Sequence, residues 1–355
     1  MVDCHRQCTI LSSDSDNNRL PSVHIQGDGV AGRCCGFLLE RTGRAVSLQA
    51  KERARVPAIL LNASAVALIC DVFGNRELLN AAKPVRKRVV AWARGATPAA
   101  LPYVELPHAA IVVSEELLLA SLPRVSGQAM GDQAAELIYA APPFPQHVTV
   151  ERFGSRMASS CSVTLRAATA EAACWMEATR DGWLFLVQDA PASGWLLSVG
   201  ASAETLLGQS SLVEKQIDRC GPASGEFAAH PRIAAPLAGR GWLLCGTAAM
   251  GFDPICGDGT AYAVREGILA AAVVSAMAAG GDEAALLRHY TARSIAGFGR
   301  HLALCREFYR SGFGGPWWDE ELAGIERGIA WCRAAVLVEE PFCYRLNGFT
   351  LERVA

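Results

Sequence analysis

Apolar and polar positions change rhythm several times along this chain. Residues 22–26 alternate as a short strand and run straight into glycines. The apolar positions of residues 31–42 recur at helical spacing, and residues 45–49 return to strand alternation. Strand, helix and strand in that order predict a βαβ unit, with a right-handed crossover and parallel strands. Residues 59–73 are apolar at helical spacing and residues 86–92 alternate. Residues 93–107, rich in Gly, Ala and Pro, read as a loop. A buried strand is expected over 109–113 and a short helix over 115–122. From residue 146 to 200 the pattern changes to alternating runs at 148–153, 160–166, 182–187 and 195–200, which predict an antiparallel sheet. Residues 241–245 form another short apolar strand, followed by glycines and a helix to about residue 279. Residues 283–338 read as mostly helical, with a break at 312–316.

With 355 residues, of which 51% are apolar and 19% charged, the chain can fill two closely packed domains. Its formal net charge of −2 gives no electrostatic reason to expect nucleic acid or an anionic membrane as partner. The run Arg86-Lys87-Arg88 reads as a solvated face. The 13 cysteines are scattered and include no CxxC pair, which points to reduced thiols and a cytoplasmic setting rather than a disulfide framework or a zinc ribbon. Residues 1–20 are polar, have no signal-peptide-like apolar run, and are expected to be a disordered extension. The Ala-rich stretch 267–279 follows a glycine turn and is expected as a buried helix, so no integral membrane segment is predicted.

Chemistry enters with Gly27-Asp28-Gly29-Val30-Ala31-Gly32, which spells GxGxxG between the first strand and the first helix. Gly27 serves the tight turn, Gly29 lets backbone approach a pyrophosphate, and Gly32 lets helix and strand pack closely. The helix start offers unpaired N–H groups and a positive dipole end to the phosphates around Val30 and Ala31. The acidic residue that ends the second strand in such units is missing, because Ala50 stands there, with Glu52 two residues on.

The second informative stretch runs from Trp242 to Thr260 and gives a strand, a turn and another glycine-rich loop opening a helix. Together the two motifs resemble the FAD-binding signature of the p-hydroxybenzoate hydroxylase fold. Asp253-Pro254 and the glycines after it look most like those of the flavin-dependent tryptophan halogenases and tryptophylquinone-maturation flavoproteins. The resemblance implies FAD as cofactor, with Gly246, Thr247 and Ala248 beside its ribityl and pyrophosphate part. It also implies Asp253 and Pro254 near the isoalloxazine ring, and Gly257, Asp258, Gly259 and Thr260 aiming backbone N–H groups at flavin N1 and O2. A helix start there favours the negative charge of reduced flavin without a basic side chain. The implied fold is α/β plus antiparallel sheet: a discontinuous Rossmann-like FAD-binding domain (21–80, 108–145 and 226–282), an inserted antiparallel substrate domain (81–107 and 146–225) and a C-terminal helical segment (283–355).

The implied activity is monooxygenation of an electron-rich aromatic, tryptophan among them, free or protein-bound, through a flavin hydroperoxide. Electrons come from NAD(P)H or a flavin reductase. Halogenation, and a non-catalytic flavin-binding or partner protein, stand as alternatives. Several positions depart from the family pattern. Thr247 replaces the ribitol-binding Asp, and the 181–188 strand keeps only Trp183 of a WxWxIP pattern. Lys83 and Lys87 suit the halogenase lysine only loosely, so Lys83 is one weak catalytic candidate and His230, before the second loop, is the other. His230 also reads as a surface histidine. The seven histidines form neither HxH nor HExxH, and no metal is expected. Ser160 and Ser198 lack a nucleophile elbow. Trp317, Trp318, Trp331 and Phe313 read either as helix packing or as a lid over an aromatic substrate, with Glu320 and Glu321 solvated beside them.

Overall fold

The computed structural model describes residues 22–93, 102–126, 136–167, 172–337 and 343–354. The expected 1–20 extension and most of the 93–107 loop lie outside them. The opening βαβ unit forms as predicted. β1 (Val23–Gln26) leads into α1 (Val30–Arg41), which returns to β2 (Val46–Gln49), parallel to β1. On the other side β1 pairs in parallel with β6 (Glu136–Tyr139), and β6 with β15 (Trp242–Leu244). The short β14 (Ala238–Gly239) closes that edge antiparallel, giving a five-stranded layer. The apolar residues of β1, Val23 and Ile25, are fully buried beneath α1.

Residues 59–73 are not one helix. They split into β3 (Ile59–Asn62) and α2 (Ala63–Phe73), because the Asn62 side chain accepts a hydrogen bond from Ala65 N and starts the helix there. β4 (Lys83–Ala91) covers the alternating run, and β5 (Tyr103–Val113) extends well into the stretch expected as loop. β5 pairs with β4 along its length and with β3 over residues 110–113, so its exposed N-terminal half rests on ladder bonds to β4 rather than on a buried face. α3 (Glu115–Ser121) follows.

The antiparallel layer is larger than the alternation predicts. It holds β8 (Met157–Leu165), β9 (Ala173–Thr179), β10 (Gly182–Ala190), β11 (Ser193–Gly200) and β12 (Ile217–Ala228), in the order β12-β8-β11-β10-β9-β4-β5-β3. The β4–β9 pair is parallel. One face packs under α4 (Ala203–Gly208), with Leu184, Leu186, Leu196 and Leu206 in a separate small core. β7 (Thr149–Arg152), predicted in this sheet, joins β13 (Arg232–Ala235) and β16 (Met250–Gly251) in a three-stranded sheet instead.

After α5 (Gly246–Ala249), α6 (Gly259–Ala278) is long and apolar enough to cross a membrane by length and composition, yet it packs as a core helix. Gly267 lets α6 lie against Ala31 and Cys34 of α1, where any Cβ would strike the Ala31 carbonyl. α7 (Glu283–Ser311) and α8 (Pro316–Leu337) form a helical hairpin broken where predicted, and β17 (Tyr344–Asn347) and β18 (Thr350–Arg353) end the described chain. Gly324 brings α8 onto the backbone of Gly154, and Gly328 brings it onto the ring of Phe153. That close approach is what delivers Glu321 to the interior.

Candidate functional site

Three adjacent parallel strands, β1, β6 and β15, end side by side, and a turn leaves each. Gly27 has φ +115°, and a Cβ there would collide with Ala141 in the turn after β6. Gly246 has φ +55°, and its Cβ would collide with Ala31 of α1. The two motifs, more than 200 residues apart in the chain, are therefore in van der Waals contact. A carboxyl end of a parallel sheet with two glycine turns meeting on it is where nucleotides bind in α/β folds.

The starts of α1 and α6 differ from those of four other helices. α2, α3, α4 and α7 are each capped by their own Asn62, Ser114, Ser202 or Asp282 side chain. α1 starts at Gly29 and α6 at Asp258, and neither has a side-chain cap. Their first-turn N–H groups have no intrahelical acceptor and remain available to an anion. The space in front of them is open. A Cβ on Gly29 would meet only the Arg53 guanidinium, at 4.0 Å, and a Cβ on Gly257 or Gly259 would meet nothing within 4 Å. By contrast, a Cβ on Gly32 would stand on the Gly27 carbonyl. Gly32 is a packing glycine, whereas Gly29, Gly257 and Gly259 border open space.

The first cradle carries an ionic rim that the sequence did not reveal. Asp28 is buried and ion-pairs with Arg55 at 2.7 Å, and burial, which raises its pKa, is outweighed by Arg55 and the Lys51 amide, so the carboxyl is held below its ordinary value. Glu115, buried at the start of α3, takes both Arg53 nitrogens and the Val56 amide. These bonds tie residues 51–56 back over the loop. Arg33 donates to the Asp28 and Leu119 carbonyls, 3.1 and 2.9 Å away. Ala50 and Glu52 are exposed.

The second cradle rests on a buried ionic post. Arg156 is inaccessible to solvent and donates to Asp253 Oδ2 at 2.6 Å and to Glu321. Burial opposes its charge, but Tyr309, Asp253 and Glu321 hold the guanidinium protonated. Tyr309 lies under it, 4.6 Å from ring centroid to guanidinium carbon. Asp253 Oδ1 in turn accepts from Ile255 N, and its own N–H donates to His301 Nε2 at 3.0 Å. The expectation that Glu321 is solvated is thus overturned: it is 1% exposed and also accepts from Ser155 N and Oγ. Gly154, at φ +106°, leaves the room its carboxylate needs.

Of the remaining expected residues, Thr247 is exposed and donates to Ala140 O at 3.3 Å, and Ala248 is buried. Pro254 begins a short 3-10 turn to Cys256, and Thr260 lies in the first turn of α6. His230 is half-buried, its Nδ1 3.4 Å from the Arg156 carbonyl, and burial pushes its pKa down. That places it beside the post rather than on open surface. Lys83 opens β4 opposite Val112, half-buried. Trp318 is buried, donates to Thr179 O at 2.8 Å and packs on Trp92, Tyr309 and Trp317, while Trp183 donates to Tyr309 Oη. These aromatics are helix-to-sheet packing. Cys256, His301 and Cys305 bring three ligand-type atoms within 4.8 Å of one another, a grouping with no linear motif.

Solved structures share this fold. The chain has the fold of the flavin-dependent monooxygenases and halogenases. It superposes on a peptidyl tryptophan dihydroxylase, QhpG, described as essential for tryptophylquinone cofactor biogenesis, with TM-score 0.66, 19% identity and coverage of 85% of this chain and 78% of that one. The flavin-dependent brominase Bmp2 gives 0.64, 18%, 90% and 92%, and the flavin-dependent halogenase CmlS gives 0.69, 14%, 95% and 84%. No family description and no curated protein sequence matches the chain.

Proposed function

We propose that this protein is an FAD-dependent oxidoreductase that hydroxylates an electron-rich aromatic ring, with tryptophan, free or protein-bound, as the candidate substrate. One observation carries the cofactor reading. Two uncapped helix starts, that of α1 at the end of the parallel sheet and that of α6 packed along α1, open on glycines whose missing side chains border open space. The residues present fit FAD on that test. Gly27, Gly29, Val30, Ala31 and Gly32 would take the pyrophosphate, with Arg53 at hand for its charge. Gly246, Thr247 and Ala248 would take the ribityl chain. Pro254, Gly257, Asp258, Gly259 and Thr260 would face the ring system, whereas Asp253, expected beside them, is buried on Arg156 and would hold their turn from behind.

FAD, when bound, supplies the redox and oxygen chemistry. The chain's part is to bind, orient and exclude water. The α6 start offers amide hydrogens where negative charge collects on a reduced flavin ring, and those dipoles are fixed before the reaction. Their position depends on the 253–257 turn, which Arg156 and Glu321 hold from beneath. The substrate reading draws on the dihydroxylase and monooxygenase among the structures of this fold.

An absorption spectrum of the purified chain with added FAD tests the reading, followed by NADH or NADPH. Flavin bands that bleach on adding a nicotinamide support a single-component hydroxylase. Bands that persist point to a separate reductase. Absence of flavin uptake at any concentration would sink the enzyme reading and leave a partner protein. Halogenation, supported by the brominase and halogenase structures, is distinguished by product mass in the presence of bromide or chloride.

A further inference from the structure

The 3-10 turn that ends at Gly257 carries Cys256, and this thiol is not alone. Cys256 Sγ lies 3.5 Å from Cys305 Sγ, and Cys305 Sγ lies 3.3 Å from His301 Nε2. His301 and Cys305 are one turn apart on α7, so both project from the same face toward the turn. The other buried thiols of α1, Cys34 and Cys35, have their pKa pushed far up by burial. Cys256 differs in kind. It is half-buried, and contact with Cys305 first, then with His301, lowers its pKa despite burial. Cys305, fully buried, moves the other way and keeps its proton. His301 is raised to about 9, its burial outweighed by Asp258 and Cys256. Asp258 stands on the opposite ring nitrogen, Nδ1, at 3.5 Å, so it cannot complete a four-ligand metal set with the two sulfurs and Nε2.

We propose that Cys256 and Cys305 are a peroxide-reactive dithiol, with Cys256 the attacking sulfur, His301 its proton acceptor and Cys305 the resolving thiol. His301 Nε2 takes the Cys256 proton, giving up the hydrogen bond it accepts from Asp253 N–H, and the thiolate attacks one oxygen of hydrogen peroxide. The S–O bond forms and the O–O bond breaks. The departing hydroxide takes the proton back as water, and sulfur has lost the two electrons that peroxide gained. Cys305 then attacks the sulfenic sulfur. The S–S bond forms, the S–O bond breaks, and hydroxide leaves with the Cys305 proton as a second water. An accessible thiolate beside a resolving thiol is the arrangement that oxidises reversibly rather than to sulfinic acid. The bridge would pin the 254–257 turn to α7, directly beside Gly257 and Gly259. A local source of peroxide, reduced flavin meeting oxygen without substrate, rests on the proposed function; the thiol chemistry does not.

The test treats the full chain, without flavin, with stoichiometric hydrogen peroxide, then alkylates it and digests it with trypsin. Cleavage isolates Cys305 in peptide 301–306 and leaves Cys256 together with Cys245 in peptide 241–265, where fragment-ion sequencing assigns the linked sulfur. The expected product is those two peptides joined, lighter by two hydrogens and separated again by a thiol reductant. In Cys305→Ser, a 1,3-diketone reagent should instead trap a sulfenic acid on Cys256. Peroxide that leaves both thiols alkylatable, or joins either to a different cysteine, overturns the proposal, as does a stoichiometric bound metal that blocks both. Because no flavin is present, a joined peptide in a chain that takes up no FAD would sink the flavin reading while leaving this one standing.

Discussion

Gly29 and Gly32 are two of the three glycines in one motif, and the structure gives them opposite reasons to be glycine. Gly29 has φ −68° and ψ 178°, extended backbone that any residue adopts, and a Cβ there meets only Arg53 at 4.0 Å. Gly29→Ala should therefore fold as the parent does, at a cost below about 1 kcal/mol for a poorer N-cap residue. Its methyl would occupy the place where a phosphate oxygen approaches the α1 amides. Losing one hydrogen bond to a charged group costs about 1.5–3 kcal/mol, which weakens FAD roughly 10- to 100-fold. At an FAD concentration a hundredfold above the parent's Kd, the parent gains about 2.7 kcal/mol of stability and the variant between about 0.4 and about 1.4 kcal/mol. Gly32→Ala puts its methyl on the Gly27 carbonyl instead, so it should lower the stability of the flavin-free protein outright. The assay is thermal unfolding of both variants with and without FAD, alongside flavin fluorescence titration. A Gly29→Ala protein that binds FAD like the parent would refute the assignment of the first cradle, whatever Gly32→Ala does.

Other residues give sharper checks on single interactions. Arg156→Met leaves the buried Asp253 and Glu321 carboxylates without their cation and should cost about 3–5 kcal/mol, read as a fall in denaturant midpoint, with much of it recovered when Asp253→Asn and Glu321→Gln are added. Thr247→Asp restores the carboxylate of the resembling family at an exposed position; it should tighten FAD several-fold in titration with little change in unfolding temperature, and unchanged affinity would detach residue 247 from the ribityl chain. Glu266, buried in α6 beside the Gly246 amide, has its carboxyl pushed up by burial to about 8. The folded state therefore holds a proton that the unfolded state releases near 4.5, so stability falls as pH rises from about 4.5 to about 8; Glu266→Gln should flatten that slope in denaturation at several pH values, and an unchanged slope would refute the assignment.

The sequence shows features that are local and hides those that are not. The first motif is legible because a strand, three glycines and a helix lie within twenty residues and each has its own short-range reason. The second is legible for the same reason. β9 escapes notice because both of its faces are buried, which removes the alternation that marks a half-buried strand. β12 escapes for the opposite reason: nearly all of it is exposed, it holds Gly and Pro, and its register against β8 shifts repeatedly. The ionic post could not be read at all. Arg156 finds Asp253 across 97 residues and Glu321 across 165, and Glu321 sits among Asp319 and Glu320 in a run that reads as solvated. The only trace was Gly154, Gly324 and Gly328, glycines with no turn of their own to explain two of them. His301 and Cys305 carry an i, i+4 spacing, but without knowledge of the turn opposite them that spacing is common on any helix.

That distribution has a consequence for how the site is held. The amides proposed to face the flavin ring belong to a turn that forms few bonds of its own: Gly257 N to Pro254 O, and Ile255 N to the Asp253 side chain. Such a turn would move freely if nothing supported it, and uncapped N–H groups that move offer little preorganised stabilisation. The support comes from below, through Asp253 to Arg156 and Glu321, and from the side, through His301 and the two thiols of α7. Both supports are buried and both involve charge, so each is sensitive to a single chemical event: loss of a partner in one case, oxidation in the other. A loop braced this way is rigid when the braces are intact, and the α7–α8 hairpin is the element that supplies most of them. The C-terminal helices therefore belong to the site's mechanics even though they contribute none of the glycines that define it.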